Sequence, residues 1–223
     1  TNSAGQPVEQ NVDGTIWQDQ TNIELPEYPD FPEVPKPGDG TYPDFPVFPE
    51  KEDCNQLATQ PYGGDGYKEL NLTSAKTYMP KIDVNGSVNL TIKYTAKQIL
   101  MVDEFIVSGS GKVYLEGEGT LRLYVNDKLN LLSAPLNYTN SNNNVEIEKT
   151  REKLEVYVKG TDVKIKDGIA TLLTKILYAP EAIIPLSGDG NVQGPVIAKE
   201  VGLSGSHKSA SNYNPEGGAP GGA

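Results

Sequence analysis

The sequence is poor in the residue types from which most catalytic and metal sites are built. Its 223 residues include one cysteine, Cys54, and one histidine, His207. A single cysteine excludes a disulfide within the chain and leaves a free thiol or a bond to another chain. A single histidine excludes a His-rich metal site and leaves one candidate for a His-dependent triad. We therefore expect no catalytic residue, no metal site and no cofactor.

Long apolar runs and an excess of positive charge are also missing. No stretch approaches the roughly 20 apolar residues that a membrane-spanning helix needs. Asp and Glu outnumber Lys and Arg by 30 to 19, for a net charge of -11, and an acidic surface repels nucleic acid and anionic membranes. The chain starts at Thr1 and shows no signal segment, as a secreted and processed protein would. We expect an extracellular or cell-surface location, no nucleic-acid partner and no membrane insertion by this chain.

Residues 26–60 have the composition of an extended proline-rich arm. The motif Tyr-Pro-Asp-Phe-Pro at residues 28–32 returns at residues 42–46. Closely spaced prolines remove backbone donors and fix φ, which excludes a regular helix or a central strand and favours polyproline II. The regularly spaced aromatic side chains need cover. We therefore expect the arm to lie on a folded surface, either its own body or a neighbouring subunit.

The segment before the arm, residues 1–25, is polar and contains one bulky apolar pair, Ile16 and Trp17. A tryptophan in a polar segment buries its large apolar ring by docking on another surface, on the same chain or on a neighbour. The predicted assembly contacts are Ile16, Trp17, Tyr28, Phe31, Tyr42, Phe45 and Phe48.

Residues 61–213 have the pattern of a β-rich body. Short segments of alternating apolar and polar residues start about every eight residues, separated by Gly, Asn and Asp, which is typical of half-buried strands joined by turns. This spacing fits a β-sandwich or a β-solenoid. The predicted strands include 88–92, 105–107, 113–115, 121–125, 129–131, 145–147, 154–158, 163–165, 176–178, 182–184, 196–198 and 201–203.

A short turn motif favours the solenoid over the sandwich. Ser-Gly-x-Gly occurs at residues 108–111 and 187–190, with a partial copy at 204–206 and a looser one, Asn-Gly-Ser, at 85–87. One turn composition that recurs before one type of strand predicts stacked, equivalent corners. Glycine permits the left-handed backbone that such corners need. The β-sandwich remains the alternative fold.

Three segments depart from the strand pattern. Residues 146–153 and 170–177 have helical composition but are short, so we expect brief helical turns and no helical domain. Residues 214–223 are rich in Gly and Pro and are expected to form a flexible tail.

The order of these features resembles the β-helix domains of uncharacterised pilus-assembly and surface proteins of Gram-positive bacteria, often encoded with type IV pilus components. The resemblance covers residues 26–213 and rests most on Tyr-Ala-Pro-Glu-Ala at 178–182 followed by Ser-Gly-Asp-Gly at 187–190. It implies a right-handed parallel β-helix or a close relative, with no known enzymatic role. The apolar anchor helix and the glycine near Lys175 that are common in the family are missing here. Either a separate helical pilin chain supplies the helix, or the subunit polymerises by another contact.

Together these observations predict a structural subunit of an extracellular filament or pilus-like assembly, with copies of itself or a separate helical pilin chain as partners. The alternatives are a monomeric adhesin or carbohydrate-binding module, and a polysaccharide-active β-helix enzyme. The enzyme would need paired carboxylates, such as Asp103 with Glu104 or Glu116 with Glu118. Aspartates in turns could instead hold calcium, or could simply favour tight turns. They are Asp65, Asp83, Asp103, Asp162, Asp167 and Asp189.

Overall fold

The computed structural model describes residues 11–12, 15–16, 47–141, 143–168, 170–188 and 190–204. The chain divides into two compact units, Thr1–Phe45 and Pro46–Ala223. In the first unit, β1 (Asn11–Val12) pairs with β2 (Thr15–Ile16) in antiparallel fashion. The arm motifs at 28–32 and 42–46 and the predicted tail at 214–223 lie outside the described residues.

The second unit consists mainly of β-strands, preceded by a short 3-10 helix at Lys51–Asp53. Its strands are β3 (Asn55–Gln56), β4 (Gln60–Tyr62), β5 (Asp65–Asn71), β6 (Lys76–Val84), β7 (Ser87–Lys93), β8 (Gln98–Ser108), β9 (Lys112–Glu116), β10 (Leu121–Ser133), β11 (Leu154–Val158), β12 (Asp162–Gly168), β13 (Thr171–Leu173), β14 (Ile176–Ser187), β15 (Asn191–Gln193) and β16 (Val196–Ser204).

These strands wind into a solenoid of about six turns, and each turn has three sides. In the turn that begins at Gln98, two sides are the halves of β8 on either side of Asp103, and the third side is β9. The next turn begins at Leu121, which lies beside Gln98 in register. Each turn therefore repeats the path of the one before it and hydrogen-bonds to it along the strands.

Parallel pairing distinguishes this fold from a sandwich. The main sheet runs in the order β11-β14-β12-β10-β8-β6-β3, with β16 beside β14 and β4 beside β6, and every described pair in it is parallel. The predicted parallel β-helix is confirmed. The sandwich alternative is wrong, because a sandwich is built from antiparallel sheets.

The core of the solenoid is made of stacked inward-facing side chains. Leu100, Leu123, Val156 and Leu177 occupy the same position on successive turns and are at most 1% exposed. Successive side chains on a strand point to opposite faces, so the alternating pattern of the sequence places one set of residues inside. Burial of each such side chain contributes about 1.5–3 kcal/mol.

The glycine turns form the stacked corners that the sequence predicts. Gly64, Gly86 and Gly109 lie on successive turns with φ of 87°, 74° and 87°. The Ser110 N–H donates to the Gly86 carbonyl over 2.9 Å. A Cβ placed on Gly109 would lie 2.5 Å from the Gly86 carbonyl oxygen. Both the backbone conformation and the distance between turns therefore require glycine at this corner.

A helical insertion interrupts the turn that begins at Leu121. Its helix is α1 (Asn144–Arg151), which begins where the Asn143 side chain accepts a hydrogen bond from the Val145 N–H over 2.9 Å. This N-cap explains why the helix predicted at 146–153 forms and the strand predicted at 145–147 does not. Residues 170–177 form β13 and the start of β14, because Leu172 and Leu177 face the core as strand residues. Within the described segments, no helix has the length and apolarity to cross a membrane.

The solenoid starts earlier in the chain than the predicted body. β3 pairs with β6, and β4 continues the same turn. Residues 55–60, which fall in the predicted arm, therefore belong to the first turn. The compact unit as a whole begins at Pro46.

Candidate functional site

A column of large side chains runs along the outside of the solenoid. Tyr78, Met101, Tyr124, Tyr157 and Tyr178 lie in register on neighbouring strands, and we call them the tyrosine ladder. Each is adjacent in sequence to a core residue, so strand alternation directs its side chain away from the core. Outward positions on a strand are usually polar. A continuous ladder of apolar groups therefore indicates a face that needs cover.

The ladder side chains contact one another and are buried. The Tyr124 and Tyr157 rings are stacked with centroids 5.1 Å apart, and the Tyr157 and Tyr178 rings lie 6.4 Å apart. Tyr124 is only 2% exposed and Tyr178 only 5%, although both point outward. Aromatic pairs at such distances contribute about 0.5–1.5 kcal/mol beyond their buried area. The ladder is thus a second apolar cluster, distinct from the core.

Residues 47–54, which we call the strap, pack on this ladder. The Phe48 ring meets the Tyr124 ring edge-on, with centroids 4.9 Å apart. At the other end of the strap, Cys54 is 6% exposed and belongs to the same cluster. Burial raises the pKa of the Cys54 thiol, which suits a packing group and not a reactive thiolate. The strap therefore joins the solenoid through apolar contacts at both of its ends.

Asp103 adds a polar connection between the strap and the solenoid. Its Oδ1 lies 2.8 Å from the Lys51 Nζ, on the strap. The Tyr78 hydroxyl donates to Oδ2 over 2.6 Å, and the Asn126 side-chain amide donates to Oδ1 over 2.7 Å. The Lys51 ammonium also lies 4.9 Å from the centre of the Tyr78 ring. One carboxylate thus receives donors from the strap and from two strands.

The surroundings of Asp103 favour its charged form. Partial burial alone would raise its pKa, but the hydrogen bonds from Asn126, Lys51 and Tyr78 outweigh burial and hold the pKa below its usual value. The carboxylate is therefore ionised at neutral pH. A general acid needs a raised pKa, so the arrangement suits an anchor and not a proton donor.

A second ion pair lies on the same face. The Arg122 Nε donates to the Glu155 carboxylate over 2.7 Å, and the Tyr157 hydroxyl donates to the same oxygen over 3.1 Å. The Glu155 side chain is only 11% exposed. Burial, together with the neighbouring Glu155 charge, raises the pKa of Tyr157. The Tyr157 hydroxyl therefore stays protonated and acts as a donor within the ladder.

A cavity of about 540 Å³ opens between the strap and the solenoid. Two of its charged residues, Asp127 and Lys159, are exposed and form no salt bridge with any other described residue. An aromatic ring with nearby carboxylate, amide and ammonium groups can bind a small polar molecule. The lining consists of Phe48, Pro49, Glu50, Lys51, Glu52, Met101, Asp103, Asn126, Asp127 and Lys159.

Of the predicted assembly residues, Phe48 is the one whose side chain the structure describes, and it packs on Tyr124 of its own chain. Ile16 is described only as backbone in β2. The remaining predicted contacts lie outside the described residues: Trp17, Tyr28, Phe31, Tyr42 and Phe45.

The tyrosine ladder is absent from the predicted site, although the sequence contains a signal for it. Leu-Arg-Leu-Tyr-Val at 121–125 and Leu-Glu-Val-Tyr-Val at 154–158 both have Tyr at the fourth position. Ile-Leu-Tyr at 176–178 aligns with them in the observed register. Aligning the strand segments on one another, and not only on their turns, would find this column.

Of the two carboxylate pairs considered for an enzyme, Asp103 and Glu104 are held in different contacts. Asp103 binds the strap, whereas the Glu104 carboxylate lies 3.3 Å from the Lys81 Nζ and 3.4 Å from the Lys128 Nζ. These partners are in register on neighbouring strands, so Glu104 is part of a ladder of alternating charges. The two carboxylates therefore serve separate structural contacts.

The aspartates considered for calcium are also dispersed. The Asp83 carboxylate lies 3.0 Å from the Lys81 Nζ, and the Asp162 carboxylate lies 2.7 Å from the Lys164 Nζ. Across the ranges that the structure describes, no group of three His, Cys, Asp or Glu side chains is placed to hold a metal ion. Asp189 lies outside those ranges.

Comparison with known proteins places the solenoid in a family. Residues 51–216 match the family model described as a domain of unknown function, DUF7305. The match begins within the strap at Lys51 and includes every strand of the solenoid. No curated protein matches the chain, and no solved structure does. The matched segment is more than half of the chain, which therefore belongs to the DUF7305 family.

Proposed function

We propose that this protein is a structural subunit of an extracellular filament or pilus-like surface assembly. The observation that supports this function is the strap, which follows the proline-rich arm in sequence and is anchored on the outside of a parallel solenoid. Phe48 and Lys51 fix it there through Tyr124 and Asp103. A rigid body with an aromatic-rich arm leading from one fixed point is suited to linking subunits.

In this assembly, the arm of one subunit contacts the outer surface of a neighbour. Trp17 and the two Tyr-Pro-Asp-Phe-Pro motifs fill grooves on that surface, and the backbone adds to a sheet edge. Polyproline II extends about 3.1 Å per residue, so residues 26–46 would reach roughly 65 Å if fully extended. The partners are copies of this chain, and a separate helical pilin chain is the alternative partner that the pilus resemblance implies. The function involves no catalytic step.

Electron microscopy of the purified protein, without detergent, tests this function directly. The full chain should form regular filaments by negative staining. A variant that lacks residues 1–46 retains the strap and should give an unchanged circular dichroism spectrum but no filaments. A variant that lacks residues 214–223 is the control and should still assemble. Filaments from the variant without the arm, or dispersed particles from the full chain at high concentration, would contradict the proposal.

A second candidate function, a carbohydrate-binding module, is favoured by the cavity beside the strap. There Phe48 offers an aromatic ring, while Asp127 and Lys159 offer polar groups that no other described residue engages in a salt bridge. Glycan-array screening followed by calorimetry should then show binding that Lys159→Ala weakens. Lys97→Ala, at a residue that does not line the cavity, is the control. The absence of any glycan ligand for the full chain would contradict this second function.

A further inference from the structure

Two inward positions on the first turn of the solenoid carry polar residues, whereas Tyr62 and Leu70 on the same turn are apolar and buried. Gln60 on β4 occupies the position that Ile82 and Phe105 occupy on the following turns. Lys68 on β5 occupies the position of Leu90. Gln60 and Lys68 are both exposed, whereas the apolar residues beneath them are fully buried. Polar groups on a terminal repeat protect the core of a solenoid from association, so these two positions disfavour the stacking of another turn on this end.

The last turn lacks such polar residues on β16. Its inward positions carry apolar side chains, of which Val201 is 37% exposed. Their partners on the previous turn are completely buried, so the exposure arises because nothing in the described part of the chain stacks above them. The in-register pairs are Val196 with Leu177, Ala198 with Ala179, and Val201 with Ile184.

The same end presents an edge strand. Among the described strands, β16 pairs only with β14, which leaves its other side without a described strand partner. An edge strand with free N–H and C=O groups is a template for pairing with another chain. Together with the apolar inward positions, it makes the C-terminal turn a docking surface.

We propose that a second copy of this chain covers this surface, with C-terminal turn against C-terminal turn, in a two-fold symmetric dimer. A two-fold axis places the apolar positions of one copy on those of the other. Stacking the first turn of another copy there would instead bury Gln60 and Lys68 against Val201 and its neighbours, which costs their hydration. The unequal ends therefore favour the symmetric dimer over a head-to-tail stack.

The sequence of β16 is self-complementary in this arrangement. Lys199 and Glu200 are adjacent, exposed and near the middle of the strand. Antiparallel pairing about an axis between them places Lys199 opposite the partner's Glu200, and the reverse. The same register places Ala198 opposite the partner's Val201. On a regular strand, residues three apart face opposite sides. The pairing of β14 with β16 has a register shift between Ala179 and Ile183, so Ala198 and Val201 both face inward.

The chain that follows β16 is a poorer cover by composition. Residues 205–223 contain one large apolar or aromatic residue, Tyr213; the others are Gly, Ser, Asn, Pro and Ala, together with His207, Lys208 and Glu216. A second copy offers a matching edge strand with Val and Ala at the facing positions. The second copy is therefore the better occupant.

Sedimentation equilibrium of the full chain tests the dimer. The wild type should dimerise, and Val201→Lys should raise the dimer Kd more than tenfold because it places a charge between two apolar ends. Gln60→Lys is the matched control, since it lies at an inward position in the opposite terminal turn, and it should leave the Kd unchanged. Val201 is partly exposed, so Val201→Lys should keep the wild-type circular dichroism spectrum.

A charge swap tests the register. Lys199→Glu should weaken the dimer because Glu then faces the partner's Glu200, and Lys199→Glu with Glu200→Lys should restore it. A wild type that stays monomeric at all concentrations would overturn the dimer. Equal weakening of the dimer by Gln60→Lys would also overturn it and would indicate head-to-tail stacking. Dimerisation only after removal of residues 205–223 would overturn it as well, because it would indicate that the tail covers the C-terminal turn. Filament formation is measured separately by electron microscopy, so the dimer proposal and the filament proposal can each fail without the other.

Discussion

Lys51 and Asp103 are separated by 52 positions in the sequence, yet the Lys51 Nζ lies 2.8 Å from the Asp103 Oδ1. The contact crosses from the strap, which precedes the first turn, to the corner of the turn that begins at Gln98. Tyr78, from the turn that begins at Lys76, donates to the same carboxylate. Asp103 therefore fixes the strap, through which the chain enters the solenoid, to a turn that lies beyond the first two turns.

Replacing Asp103 should loosen the strap. Asp103→Asn removes the negative charge that accepts hydrogen bonds from three donors. We expect a loss of about 1–3 kcal/mol in the free energy of unfolding. Trypsin should also cleave after Lys51 faster than in the wild type, because the ion pair no longer holds it. Asp127→Asn, in the same cavity but exposed, is the control and should change stability by less than about 0.5 kcal/mol. Equal effects of the two variants would contradict the anchoring role.

The Asp103 contribution should depend on pH. Its folded-state pKa is lowered, so the unfolded state binds the proton more readily, and stability falls as the pH falls. The contribution is fully present above the unfolded pKa of about 3.9 and is lost as the pH drops through the lower folded pKa. Urea unfolding at pH 7 and pH 2.5 should therefore show wild type and Asp103→Asn differing at neutral pH and converging in acid. A constant difference would count against this linkage.

The Arg122 and Glu155 side chains should be energetically coupled. Arg122→Met leaves the Glu155 carboxylate with Tyr157 and a Lys175 ammonium 3.9 Å away, and we expect it to cost about 1–3 kcal/mol. Arg122→Met with Glu155→Met removes both charges and should cost less than the sum of the single variants. A double-mutant cycle by urea unfolding measures this coupling. Additive single effects would show that the pair contributes no specific stability.

Two corner glycines allow the strain of the backbone to be separated from the crowding between turns. Gly64 and Gly109 have the same φ of 87°, but a Cβ on Gly64 would have no neighbour within 4 Å. Gly64→Ala should cost about 1–2 kcal/mol for the left-handed conformation alone. Gly109→Ala should cost about 1–3 kcal/mol more, because its Cβ meets the Gly86 carbonyl. Thermal unfolding compares them, and equal losses would exclude crowding as a cause.

Local patterns predict the strands and corners well, because each depends on neighbouring residues. Alternation at residues 121–125 and 154–158 places one set of side chains inside, and the Gly turns at 85–87 and 108–111 become stacked corners. The start of the solenoid at β3 was harder to predict. Asn55 and Gln56 are exposed and lack an apolar pattern, and they form a strand only because β6 lies beside them.

The site was less predictable than the fold. Adjacency in sequence suggests Asp103 and Glu104 as a carboxylate pair, but the two residues lie at a corner and their carboxylates make different contacts. The ladder tyrosines come from four separate strands, and their alignment depends on the register between turns. Register arises from the whole stack, so no single segment could reveal it.

By itself, the sequence determined the strand segments, the glycine corners and the repetitive character of the chain, because period-two alternation and left-handed turns are local properties of the backbone. Tertiary structure alone decided three further features: the strap that covers the ladder, the donors that converge on Asp103, and the difference between the two ends. Each of these depends on which turn lies next to which, and that is set by stacking between residues distant in the chain.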